Sequence, residues 1–339
     1  MMRTHFSRGN VLNSETNPGA GKTLRLKPHK RWGDDGVAST VGTIMAMMVF
    51  LSALSMFTSQ YIPVYMEENE ASHMSEAYGQ FAALKQAVDL QILAGTIQGT
   101  SPVQMFSPIK LGAPGIPMFA SPTPGYLSTG RLDSYNNVSF SFKTNATISH
   151  DVKYETGGSI SLYVANRYYI PQELAYENDA LILKQSDGQY MKAMPQFKAT
   201  LVGIGNNGTY LYDISYTLVD MRGLDSNYVG FGTRGVQTTL KSVTTTTFTN
   251  LTGEAGLAAY DSLFIKQRTW YPTAWNSSFN QILREMPLSY YNITLNKLPN
   301  NDPIDDFYEI VLRIRPEAIA RFTLTVAYVE ISTAEMGAT

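Results

Sequence analysis

Few side chains in this 339-residue chain have the type and spacing that chemistry requires. The four histidines are His5, His29, His73 and His150, and none lies within a helical turn of another. A helical zinc site needs such pairs, so no metal ligand is assigned, and His73 is expected on a helix surface. There is no cysteine, which removes disulfides and thiolate metal sites. Glu173 and Glu177 are neighbours in sequence, but nothing around them separates an acid from a base, and no Gly-X-Ser-X-Gly elbow occurs. Gly19-Ala20-Gly21-Lys22-Thr23 ends like a phosphate-binding loop. Thr16 stands where that loop needs its first glycine, Pro28 follows closely, and no strand precedes to aim it. Asn300-Asn301-Asp302-Pro303-Ile304-Asp305-Asp306 crowds oxygen ligands together without calcium-loop spacing, and reads as a solvated turn. No catalytic residue, metal or cofactor is therefore assigned, and the expectation is a protein that is not an enzyme.

Two other residue sets have a chemical meaning. Asn-X-Ser/Thr sequons fall at Asn137, Asn145, Asn207, Asn250, Asn276 and Asn292, and these are the candidate glycosylation sites. Tyr168, Tyr169, Trp270, Tyr271, Trp275, Tyr290 and Tyr291 offer a carbohydrate-binding surface, although such residues more often pack strand faces and cores.

The element that must position all of this is the stretch from Val37 to Ile62. It holds no Asp, Glu, Lys, Arg or His over 26 residues. About 20 mostly apolar residues cross a bilayer, and a lone span must be a helix because lipid offers its backbone no partners. Its serines and threonines are small enough to bond back to helix carbonyls. Mean hydropathy over the chain is −0.14, which excludes a protein of many spans. Residues 1–36 carry seven basic and three acidic side chains, a net of +4 within a total of −2. A basic flank before the span places the N-terminus in the cytoplasm and the acidic body outside. An acidic body also argues against nucleic acid as a partner.

The order of the chain follows. Residues 1–36 are a basic cytoplasmic leader, 37–62 the transmembrane helix, 63–95 an amphipathic stalk helix and 96–339 an extracytoplasmic β-rich head. Pro63 is expected to kink or interrupt the helix. Beyond it, Met74, Ala77, Tyr78, Phe81, Leu84, Val88 and Ile92 recur at helical spacing. Glu67, Glu68, Glu70 and Glu76 load the first half with negative charge that suits the helix dipole. Gly95 to Gly130 is rich in Gly, Pro and Ser and predicts loop and short edge strands. Alternation predicts strands near residues 138–143, 159–164, 210–219 and 321–331, and Ala180–Gln185 turning through Asp187-Gly188 predicts a hairpin. Thr244–Thr247 reads as an exposed or edge strand. A single helix over residues 273–285 is expected to bury Ala274, Phe279, Ile282 and Leu283. The fold class is α+β: a long transmembrane and stalk helix, then a mainly antiparallel, jelly-roll-like β-sandwich.

The junction Asp34-Asp35-Gly36-Val37, charged residues then glycine then an apolar helix, resembles the class III signal of archaeal type IV pilin-like surface proteins. The phrases Gln60 to Met74, Leu111 to Phe119 and Gly158 to Pro171 strengthen that resemblance, which covers residues 34–240 and is thinner beyond. It implies cutting by a prepilin peptidase between Gly36 and Val37, anchoring at the cell membrane, and a helix that assembles with copies of itself or other pilin-like subunits. It implies no catalytic residue. The sequence departs from many type IV pilins at Val41, where they carry glutamate. The alternative is a non-polymerising, single-span surface protein whose head binds a glycan, ligand or envelope partner.

Overall fold

The computed structural model describes residues 34–98, 104–129, 135–145, 148–205, 208–223, 225–249, 262–299 and 307–335. The chain divides into two compact units, Met1–Ser55 and Met56–Thr339.

In the first unit the described element is helix α1 (Asp34–Met56). Its hydroxyls turn inward as their size allows: Thr43 Oγ1 donates to the Ser39 and Thr40 carbonyls at 3.1 and 2.9 Å. Helical backbone runs over 60 residues from Ala38 to Ile97, and its most apolar 18-residue window has no residue buried within the chain. About 20 residues suffice to cross a bilayer core, so only the apolar part of this run can be a span.

The second unit opens on one π-helical turn, Phe57–Tyr61, followed by helix α2 (Ile62–Gln98). Pro63 is the cause. It has no N–H to give, and its ring crowds the carbonyl one turn back. The backbone takes up the fault by widening: the Ile62 N–H reaches the Phe57 carbonyl, five residues earlier. The expected kink or break is thus a single π turn. α2 also outlasts the expected stop at Gly95. A Cβ at Gly95 would come within 2.6 Å of Leu240 and 2.8 Å of Val243, so glycine here permits close packing on a strand.

The strands form three sheets. Sheet I is ordered β1 (Gln104–Lys110), β12 (Thr233–Thr249), β16 (Ile319–Glu335), β10 (Tyr210–Gly223), β9 (Phe197–Ile204). Sheet II is ordered β11 (Ser226–Gly230), β2 (Gly125–Thr129), β5 (Ser159–Val164), β6 (Gln172–Glu177), β7 (Ala180–Gln185), β8 (Gly188–Ala193). Sheet III is ordered β14 (Tyr291–Leu298), β15 (Phe307–Ile314), β13 (Leu263–Thr269), β3 (Tyr135–Asn145), β4 (Ile148–Gly157). Neighbours pair antiparallel except β10 with β16, which run parallel. A sandwich calls for two sheets, and the described strands make three. Helix α3 (Pro272–Ile282) starts on a proline and buries Ala274, Trp275, Ser278 and Phe279.

Two hydrophobic cores result. One joins α3, sheet III and the first halves of β10 and β16 through Trp275, Phe279, Tyr216, Phe322 and Leu312. The other joins α2, sheet II and the second halves of β10 and β16 through Phe81, Leu84, Tyr176, Leu162 and Val329. In β16, Phe322 and Leu324 serve the first core, whereas Ala327, Val329 and Ile331 serve the second. Side chains alternate along a strand, so this change of parity means that sheet I buries opposite faces at its two ends. Sheet II lies between both cores. Leu174 and Tyr176 enter one and Ala175 the other, which explains why β5, β6 and β7 are buried almost continuously. Where sheet I leaves its face bare, Thr245 meets Thr325 at 3.1 Å and Thr247 meets Thr323 at 3.5 Å. β1 covers β12 only as far as Thr239, so Thr244–Thr247 does form an edge among the described strands.

Candidate functional site

The side chains with the most chemistry in their surroundings lie along α2, where it meets the loops and the hairpin tip of sheet II. The stripe predicted from spacing is buried: Met74, Ala77, Phe81, Leu84, Val88 and Ile92 all face the β domain, while Tyr78 stays 39% exposed. Met66 continues the stripe backward, and Glu70 falls between Met66 and Met74 on the same face.

Glu70 is fully buried. Its carboxylate accepts the Thr123 hydroxyl at 2.6 Å and the backbone N–H groups of Arg167, Tyr168 and Tyr169 at 3.1, 2.8 and 2.8 Å. Three consecutive amides aimed at one anion form a nest. Burial pushes the Glu70 pKa up, but the Thr123 and backbone hydrogen bonds more than offset it and leave the group below the usual carboxylate value. The bonds therefore fasten the start of α2 to the β5–β6 loop. Position in the stripe was a signal for this burial. Counting Glu70 with its acidic neighbours as dipole charge missed it.

His73 is buried as well, against the expectation of a surface residue. It faces inward because it too lies in register with Ala77 and Met66. Nε2 donates to the Lys110 carbonyl at 3.0 Å. Burial pushes its pKa down, which favours the neutral ring. Lys110 is also held by α2 itself: its N–H donates to Gln80 at 2.8 Å and its ammonium pairs with Glu76 at 3.0 Å.

Further along, the turn between β6 and β7 is a two-residue loop, with Glu177 paired to Ala180 and positive φ of 42° at Asn178 and 65° at Asp179. That is the conformation of a primed hairpin turn, which Asn and Asp tolerate. Hairpin tips normally sit in water, yet Glu177, Asn178 and Asp179 are all fully buried. Each is satisfied by partners from other parts of the fold. Glu177 accepts from Thr269 on β13 and Trp275 on α3, both at 3.1 Å, and from Gln267. Asn178 donates to the Tyr216 hydroxyl at 2.7 Å and accepts the Val219 N–H at 3.0 Å. Asp179 accepts Lys85 Nζ at 2.7 Å and the Gln196 N–H at 2.8 Å. Lys85 is shared, lying 3.1 Å from Asp89, and Gln196 Nε2 reaches Asp89 at 3.1 Å. Burial first, then the Asp89 carboxyl, push the Asp179 pKa up to about 7, with Lys85 opposing.

This geometry fastens α2 to the β domain. Each carboxylate is turned to donors within the fold. Among the described residues no group of three or more His, Cys, Asp or Glu could hold a metal ion. Glu173 accepts the Tyr271 hydroxyl at 2.8 Å and lies 3.8 Å from the Lys184 ammonium.

The other expected sites are scattered. Gly36 and Val37 lie in the first turn of α1. Asn137 is buried on β3 and donates to Glu155 at 3.3 Å, Asn276 is half-buried on α3 with Asn280 bonded to it, and Asn292 is exposed on β14. Asn145 ends β3. Asn207, Asn250, the Asn300–Asp306 turn, His5, His29 and the Gly19–Thr23 segment lie outside the described residues. The aromatic residues do not form one surface: Trp275 and Tyr271 are core, Trp270, Tyr290 and Tyr291 pack partly against it, and Tyr168 is exposed on the β5–β6 loop. No protein-family model, curated protein or solved structure matches the chain.

Proposed function

We propose that this chain is a pilin-like surface subunit, anchored at the cell membrane by its N-terminal helix and displaying the β-rich domain outside. The observation that carries this is the unequal use of one helical run. Over Ala38–Tyr61 almost every residue is exposed, including Ile44, Met47, Met48, Val49, Phe50 and Leu51, while α2 buries a full stripe in the β domain. Leaving such side chains in water forgoes about 1.5–3 kcal/mol each, so the first part needs lipid or other apolar helices around it. The second part is bolted down by Glu70 and Lys85. An element that is free at one end and fixed at the other transmits anchoring to a displayed head, and asks for no catalytic centre.

In this account the N-terminus is cytoplasmic and a prepilin peptidase cuts between Gly36 and Val37, leaving α1 to assemble with copies of the chain. The head carries glycans at sequons such as Asn292. Val41, where many pilins have glutamate, favours a second account: a single-span surface protein that does not polymerise and whose head binds an envelope partner.

Intact mass, N-terminal sequencing and electron microscopy of the membrane-extracted protein test the proposal. It expects an N-terminus at Val37, excess mass from glycans and filaments in the preparation. An intact leader would sink processing. A processed chain that never forms filaments would leave the second account.

A further inference from the structure

Two loops of the β domain meet the helical segment that opens the second unit, at Phe57 and at Glu70. The first, residues 111–124, has no charged residue. It folds on itself, with the Ile116 N–H bonded to the Ala120 carbonyl at 2.9 Å and Ala113 bridged to Thr123. At its tip Met118 has φ 69° and is 100% exposed. A methionine in the left-handed region is uncommon. Here the unfavourable backbone holds an apolar side chain away from the protein. Phe119 beside it is exposed on one side and packs edge-on against Phe57, ring centres 5.6 Å apart. Phe57 in turn stacks on Tyr61 at 5.7 Å. The second loop carries Tyr168 and Ile170, both exposed, and is tied to the first by Arg167 Nη1 donating to Ser121 at 3.2 Å. Both loops are locked to α2 through Glu70, by Thr123 and by the Arg167–Tyr169 amides.

Exposed loop tips are normally polar, and an exposed apolar patch of this kind marks a contact surface. The place of Phe57 in the chain identifies the contact. Counted from Val37, roughly 20 residues fill the hydrocarbon core, which brings the chain to Met56. Phe57 and Tyr61 then fall in the outer headgroup layer, where aromatic side chains concentrate. Phe119 touches Phe57 and so shares its depth.

We propose that the loops bearing Met118, Phe119, Tyr168 and Ile170 rest in the outer headgroup layer of the bilayer that the chain's own helix crosses, so that the β domain is seated on lipid rather than held clear of it. The inference rests on the single-span reading above. The surface includes Phe57, which follows the apolar stretch in sequence, and its partner is the lipid interface, with Arg167 placed to meet lipid phosphates.

The native chain has no cysteine, so one introduced thiol reports from one place. The full chain, reconstituted in phosphatidylcholine–phosphatidylglycerol vesicles, carries an environment-sensitive fluorophore at Met118→Cys, Val49→Cys or Leu288→Cys. Val49 is exposed on α1 and Leu288 is exposed beyond α3. Lipids with spin labels at the headgroup or at mid-chain serve as quenchers, and iodide serves from the water. The expected result is loss of most Met118→Cys emission to headgroup labels, loss of Val49→Cys emission to mid-chain labels, and response to iodide alone at Leu288→Cys. A Met118→Cys probe quenched by iodide alone, with Val49→Cys still quenched from lipid, would overturn the seating and leave the span intact. A Met118→Cys probe reached by neither lipid nor iodide would mean that another protein copy covers the loop, which also overturns it. A Val49→Cys probe untouched by lipid labels would remove the span and the seating together.

Discussion

Glu70 and Asp179 are two buried carboxylates that fasten the same helix, and their protonation runs opposite to what their partners suggest. Asp179 has an ammonium at 2.7 Å, yet burial first, and then the Asp89 carboxyl, push it up to about 7. Glu70 is held by four neutral donors and lies below the ordinary value of 4.5. A cation counts for little when it is shared, and Lys85 divides itself between Asp179 and Asp89, whose own charge works against ionisation. Amides fixed by a backbone turn are shared with nothing and need no further ordering. Burial raises both acids, and the fixed donors at Glu70 more than offset it whereas the shared Lys85 at Asp179 does not.

The largest expected effect comes from removing the better-held charge. Glu70→Ala leaves three amides and a hydroxyl without their acceptor, and should cost about 3–5 kcal/mol in unfolding of the detergent-solubilised chain at neutral pH. Because the folded pKa lies below the unfolded one, the stabilisation from Glu70 is present above about pH 4.5 and fades as pH falls below it. The variant should accordingly lose the wild-type drop in stability on acidification. A change within about 0.5 kcal/mol, the ordinary range for surface substitutions, would mean that the nest contributes nothing and would end the comparison.

Asp179 has the reverse sign. Its folded pKa of about 7 stands above the unfolded 3.8, so its contribution is fullest below the lower value and declines as pH rises toward the upper one. Over that window wild-type stability should fall by roughly 2–4 kcal/mol relative to Asp179→Asn, and the decline should level off above neutrality. Urea unfolding followed by circular dichroism at a series of pH values reads the slope directly. Parallel wild-type and Asp179→Asn curves would show that the tip does not titrate in the folded protein.

The difference between these two acids also marks where the sequence stops being legible. Helix and strand positions follow from local pattern: β5 begins and ends where alternation places it, β7 where the hairpin reading places it, and the α2 stripe is the one that the spacing of Met74, Phe81, Leu84 and Val88 predicts. Burial of Glu70 and His73 was available from the same spacing, but a polar residue in an apolar stripe only makes sense once its partners are known, and Lys110 and Arg167 come from distant segments. Nothing local announces that Glu177, Asn178 and Asp179 end up in the interior, since Asn-Asp at a hairpin is an ordinary surface turn. The third sheet and the parallel β10–β16 pair were equally out of reach. They depend on which strands meet across more than a hundred residues, while alternation records only that a strand has two faces.

The smallest expected effect isolates the sharing itself. Asp89 lies 3.1 Å from Lys85 and is partly exposed, so replacing it disturbs little packing. Asp89→Asn removes the charge that opposes ionisation of Asp179, leaves Lys85 to one acid, and offers an amide donor where a carboxylate stood. The pH at which the stability slope ends should move down by about one unit, with neutral-pH stability changed by under about 1 kcal/mol. The same pH series of urea unfolding curves measures both. If the end of the slope stays near pH 7 in Asp89→Asn, burial alone sets the Asp179 pKa. The contrast with Glu70 would then be one of depth and not of how the donors are held.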